Sequence, residues 1–245
     1  MTPTILDRAV ASARAFVSEV HPEAAAASLA GSIPAGRGTD TSDLDVVVYY
    51  ADRTVNYAET LCYDGWLVES FVYGPGGIEE WFAKEAGLRR PVALDMWATG
   101  LPLMGEDLAD QLRDKAGAIL DAGPAPLDPY QRDDLRYGLT AAIDDLRGNP
   151  APEEALAVMA DVFVRSAELL LFANNGWLGT GKWLVRRLGS LDRPEATDLI
   201  GWAESAERSG DELCRVASAV LDSVGGALQE GHVRGRRDTH AKGGS

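Results

Sequence analysis

A chain of 245 residues, 46% hydrophobic and 25% charged, has the make-up of one large water-soluble domain or two modest ones, which excludes collagen, disulfide scaffolds and disorder throughout. Its 38 acidic residues against 23 basic ones give a formal net charge of -15, with 19 against 9 up to Pro126 and 18 against 10 from there to Glu230. Phosphate tracks require clustered Lys and Arg, so this balance disfavours nucleic acid and favours cationic partners, apart from a short basic stretch with Arg234, Arg236, Arg237 and Lys242.

No apolar run reaches the roughly 20 residues needed to cross a bilayer, because Arg165 and Glu168 interrupt the longest one. Asp7, Arg8, Arg14 and Glu19 stand where a secretory leader would be apolar, so the expectation is a cytoplasmic protein with no membrane partner. Cys62 and Cys214 lie far apart with no His nearby, and are expected to be two buried free thiols.

In chain order, the spacing predicts a helix over residues 4–19, a short strand over 26–30 ending at Gly31-Ser32, a Gly-rich loop, and a strand over 43–50. The run Val46-Val47-Val48-Tyr49-Tyr50 reads as a central strand buried on both faces. Asp64-Gly65 between two β-prone runs predicts a hairpin of residues 56–62 and 66–73 with a two-residue turn. That turn pairs Tyr63 with Trp66, Cys62 with Leu67 and Thr60 with Glu69, so Glu69 shares a face with Thr60, Leu67 and Phe71 while Glu59 points the other way. Helices over residues 79–86 and 107–119, a helical or irregular stretch over 90–98 and a short strand over 101–104 complete the first half.

Three prolines and a glycine between Asp121 and Pro129 mark a boundary. Asp128 with Pro129 starts a helix to about residue 146, Pro152 another to 174 or 175, and shorter helices follow at 182–188, 194–207 and 211–228. The expected class is α+β: a mixed sheet with helices in residues 1–123, an all-helical bundle of about five helices in 127–230, and a flexible basic tail in 231–245.

The informative stretch is Gly31-Ser32, the loop after it, and Ser42-Asp43-Leu44-Asp45. Side chains two apart on a strand project from one face, so Asp43 and Asp45 can share a hard divalent cation. Gly31 and Ser32 let backbone approach an anion, and a short helix opening there would direct its free amides at phosphate oxygens. Cation plus phosphate cradle points to nucleotide chemistry.

These residues resemble the nucleotidyltransferase superfamily named for DNA polymerase β, in particular its small antibiotic-modifying members. The shared pattern is a Gly-Ser pair, a spacer of about ten residues, Asp-x-Asp on a strand and a third acid on a later strand, matched here by Gly31-Ser32, Asp43-Leu44-Asp45 and Glu69. The resemblance covers the first half strongly. In the second half, Arg136 to Leu146 and Gly181-Lys182-Trp183-Leu184 are similar to segments of the C-terminal bundle such enzymes carry. It implies a magnesium-dependent transfer of a nucleoside monophosphate, AMP from ATP, to a hydroxyl of a small molecule. Asp43, Asp45 and Glu69 are then metal ligands and catalytic groups, with Glu69 as general base and Glu59 as the fallback.

Gly31, Ser32 and Ser42 would contact the nucleotide, and Lys182 and Arg186, four apart on one helical face, would meet the triphosphate; Arg37 and Thr39 are further phosphate contacts. An aminoglycoside-like polycation suits the acidic surfaces, with Asp144 or Asp145 gripping an amine if one of them lines the site. Two alternatives stay open: an enzyme modifying protein or RNA, as toxin and antitoxin relatives do, and a silent nucleotide-binding module. His21, His232 and His240 are too scattered for a zinc site, and Trp177, Trp183 and Trp202 are expected to pack the bundle. Gly74-Pro75-Gly76-Gly77 reads as a loop.

Overall fold

The protein is described from a computed structural model covering residues 3–233. The chain divides into two compact units between Ala125 and Pro126. The first contains α1 (Ile5–Val20), β1 (Ala26–Ala30), β2 (Leu44–Tyr49), β3 (Asn56–Tyr63), β4 (Trp66–Tyr73), α2 (Gly77–Leu88), α3 (Ala93–Thr99), β5 (Leu101–Met104) and α4 (Glu106–Ala122). The second contains α5 (Pro129–Arg147), α6 (Pro152–Ala173), α7 (Lys182–Leu188), α8 (Pro194–Glu204) and α9 (Gly210–Ser223). The class is α+β, and none of the described helices is long and apolar enough to cross a membrane.

The five strands form one sheet in the order β3-β4-β2-β1-β5, with β2 at its centre as the run of valines predicts. β2 pairs antiparallel with β1 and parallel with β4, while β3 and β4 form the hairpin. Asp64 (φ 49°) and Gly65 (φ 80°) both take positive φ, the twist that lets a two-residue turn join right-twisted strands. The resulting register pairs Thr60 with Glu69 and Glu59 with Ser70, as the turn chemistry requires.

Leu44, Val46, Val48, Val68 and Val72 on one face of the sheet close over Ala9, Ala13, Phe16 and Val17 of α1. Thr4 fixes the start of α1: its hydroxyl accepts from the Asp7 amide at 3.1 Å, while the Asp7 carboxylate accepts from the Thr4 amide at 2.8 Å. On the opposite face, α3 packs on β1 and β2 and brings Gly100 against the Ser28 side chain. Glu85 holds α3 in place. Its buried carboxylate accepts from the amides of Val92, Ala93 and Leu94 at 2.9, 2.8 and 3.0 Å and from the Trp81 indole at 2.9 Å. Those amides are the donors a helix start leaves unpaired, and α3 has no side-chain cap of its own. Burial pushes the Glu85 carboxyl up from its ordinary value, and the four hydrogen bonds pull it back.

In the second unit, Leu139, Ile143, Val162, Leu170, Leu199, Leu213, Val216 and Val220 belong to one core. Asp128 caps α5 by accepting from the Gln131 amide at 2.9 Å, with Pro129 at the first helical position.

Several expectations need correction. α9 stops at Ser223, not at 228, because Gly225 (φ 113°) and Gly226 (φ 82°) leave helical space and present their carbonyls to the Arg136 guanidinium. The predicted helix over 194–207 ends at Glu204. Cys62 is exposed, since β3 is an edge strand open on both faces; only Cys214 is buried. Trp202 does pack the bundle against Phe163, but Trp183 is 37% exposed, with the Arg186 guanidinium 4.7 Å above its ring. The flexible tail assigned to 231–245 lies outside the described residues from 234 onward. Before that point, His232 stacks on Tyr137 with ring centroids 4.9 Å apart.

Replacing Glu85 with Ala is expected to destabilise the protein by about 3 kcal/mol, because it strands the buried amides of Ala93 and Leu94 and the part-buried one of Val92; equilibrium urea unfolding measures it. His21 supplies a pH signature. Its imidazole is buried, with Nδ1 3.0 Å from the Tyr50 hydroxyl, and burial, assisted by Arg53 and opposed by Glu59, holds its pKa below the ordinary value. The unfolded chain then binds this proton more readily, so the contribution is fully present above about pH 6.5 and is lost as the pH falls below it. His21→Phe is expected to flatten that part of the urea-midpoint profile.

Candidate functional site

Parallel pairing of β2 with β4 sets Asp45 directly beside Glu69. Antiparallel pairing on either side extends the row to Ala30 of β1 and Thr60 of β3. A row across a sheet keeps its side chains on one face, so the two carboxylates project together. Asp43 stands immediately before β2 and two residues from Asp45. Asp43, Asp45 and Glu69 are all half-buried, and one carboxylate oxygen from each lies within 4.8 Å of the others. Glu59 sits in the next row with Ser70 and Val46, on the face turned towards α1, and is no part of this group.

Gly31 is as much a part of the site as the acids. It follows β1, where Ala30 pairs with Asp45, and it takes φ 81°. A Cβ built on it would fall inside the Asp45 carboxylate. The glycine therefore makes room for that carboxylate, a reason distinct from the anion approach inferred from sequence. The pairing of β1 with β2 is what reveals it, and no local motif encodes that pairing.

Residues 32–36 form turns and not a helix, with the Gly36 amide on the Ile33 carbonyl at 3.0 Å and the Arg37 amide on the Ser32 carbonyl at 2.8 Å. The helix start proposed for phosphate is thus absent, and the loop is shaped by Ser42. Its hydroxyl accepts from the Thr39 amide at 2.9 Å and from the Ser32 hydroxyl at 3.1 Å. Ser42 fastens the loop to the strand that carries the aspartates, while Arg37 and Thr39 are exposed. Gly74 to Gly76 lead through a turn into α2, which begins at Gly77.

Lys182 and Arg186 belong to α7 in the second unit, Lys182 exposed and Arg186 half-buried over Trp183. Asp144 and Asp145 are exposed on α5, and Asp144 accepts from the Gln229 amide group. The structure thus brings together Gly31, Ser32, Ser42, Asp43, Asp45 and Glu69 within the first unit.

The donor set fits a hard divalent cation. Oxygens bound to one magnesium ion stand at most about 4.2 Å apart in an octahedral shell, close to the spacing of these three carboxylates. No nitrogen or sulfur ligand that would favour zinc is present in the group.

No protein-family model matches this sequence, and no curated protein matches it. Among solved structures, the chain is similar to a nucleotidyltransferase-like protein from Exiguobacterium sibiricum. The TM-score is 0.43 and the sequence identity 15%, over 88% of this chain and 73% of that one.

Gly31→Ala combines a left-handed backbone, which costs an alanine about 1 to 2 kcal/mol, with displacement of Asp45. The expected outcome is a folded protein with a modestly lowered melting temperature and at least about tenfold weaker magnesium binding by calorimetry.

Proposed function

We infer that this protein is a magnesium-dependent nucleotidyltransferase that moves AMP from ATP to a hydroxyl of a small molecule. The observation that carries this reading is the convergence of Asp43, Asp45 and Glu69 beside the Gly31-Ser32 turn. Three acids on a rigid sheet, with a side-chain-free residue next to one of them, are what a site needs to receive a highly anionic nucleotide through a shared cation.

Asp43 and Asp45 would hold the metal, with Glu69 able to complete the set. Bound there, magnesium would supply charge neutralisation at the triphosphate and orient the α-phosphorus for in-line attack. The chain's own residues do the remainder. Ser32 and the backbone of the turn approach the phosphates. Glu69 accepts the proton of the attacking hydroxyl, which requires its carboxylate to remain ionised and within hydrogen-bond reach of that oxygen. The hydroxyl oxygen forms a bond to the α-phosphorus as the bond to the β-phosphate bridge breaks, and pyrophosphate leaves with the electron pair. The acidic excess suits an acceptor bearing amines, such as an amino sugar.

Asp43→Asn and Asp45→Asn each remove a charged ligand and are expected to lower pyrophosphate formation at least about a hundredfold, while the urea midpoint stays level or rises as repulsion is relieved. Glu69→Gln is expected to lower turnover more than nucleotide affinity. Magnesium-dependent ATP binding with no pyrophosphate formed from any alcohol would instead favour a silent nucleotide-binding module.

A further inference from the structure

Glu69 has two unlike flanks. Towards β2 stand Asp45 and Asp43; towards the sheet edge stands β3, whose residues on this face are uncharged. The register puts Thr60 beside Glu69, Cys62 beside Leu67 and Ala58 beside Phe71. Leu67 is 51% exposed, Ala58, Thr60 and Cys62 are exposed, and Phe71 is half-buried. An open edge strand ordinarily carries charge on its solvent side. In a chain with 38 acidic residues, β3 has only Glu59, and that side chain is on the other face.

We propose that this uncharged flank is the floor on which the acceptor rests, and that the acceptor is a neutral or amphipathic alcohol whose reacting hydroxyl lies on an apolar face. The inference rests on the transferase reading above. The β2 flank is taken by the metal ligands and the nucleotide they hold, so a hydroxyl reaches the Glu69 carboxylate over β3. Leu67, Phe71 and Ala58 there offer apolar contact, and the Thr60 hydroxyl offers one donor and acceptor beside the base. The β3 residues on this face, Ala58, Thr60 and Cys62, offer an ammonium group no carboxylate to pair with. Any amine on the acceptor is therefore held away from the reacting end.

Cys62 reports on this floor, because it is exposed while Cys214 is buried. The test alkylates the full chain with iodoacetamide in magnesium and a non-hydrolysable ATP analogue, with either octyl glucoside below its micellar concentration or kanamycin. Octyl glucoside at about four times its Kd is expected to slow Cys62 alkylation about fivefold, and kanamycin to leave the rate unchanged. Leu67→Lys and Thr60→Lys, both at exposed positions, are each expected to weaken octyl glucoside binding about tenfold, so that the same concentration slows alkylation only about 1.4-fold. Protection by kanamycin alone, protection by neither compound, or protection that grows with protein concentration alone, as edge pairing of two copies would give, overturns the proposal. Protection with no pyrophosphate formed from ATP and any alcohol overturns the transferase reading and the acceptor role together. Pyrophosphate formed with kanamycin at an unprotected Cys62 overturns the floor alone.

Discussion

Three carboxylates set close together on one face of a sheet are the constraint on which the site depends, because like charges at that spacing repel. At about 4 Å, two such charges cost about 1 kcal/mol in water and about 4 kcal/mol at a protein surface. Asp45 and Glu69 cannot relax apart by sliding, because they are paired across two hydrogen-bonded central strands. Asp43 is tied to the start of β2 by the turn that Ser42 fastens. Such a cluster is compatible with a divalent cation, which is the part the proposed function gives it.

The rest of the unit keeps that cluster open and rigid. Packing of α1 covers one face of the sheet, and the three acids project from the other. Over that second face, α3 seals part of β1 and β2. Its position depends on Glu85, a buried acid whose role is to bind amides and not substrate. Gly31 supplies the space that a side chain would take from Asp45. Glu85 accepts from three amides and an indole, while Asp43, Asp45 and Glu69 each bring one carboxylate oxygen within 4.8 Å of the others.

Much of this was legible in the sequence because the decisive signals are local. Asp64-Gly65 dictates a two-residue turn, and from that turn alone the register puts Glu69 and not Glu59 on the face of Thr60. The valine run marks β2 as central, and Asp128-Pro129 marks the start of α5. What the sequence withheld depends on long-range pairing. Nothing local says that β1 lies against β2, so the contact between Gly31 and the Asp45 carboxylate was hidden. Burial of Cys62 was inferred from residue type, but edge position decides exposure. The end of α9 is not legible locally, because the reach of Arg136 to the Gly225 and Gly226 carbonyls spans 89 and 90 residues.

The most direct measurement of the central claim is anomalous scattering from a crystal of the full chain grown with manganese and a non-hydrolysable ATP analogue. The account predicts manganese density bounded by oxygens of Asp43 and Asp45, within reach of Glu69, and touching the analogue's phosphates. Nucleotide bound elsewhere, with no metal between these carboxylates, would contradict it.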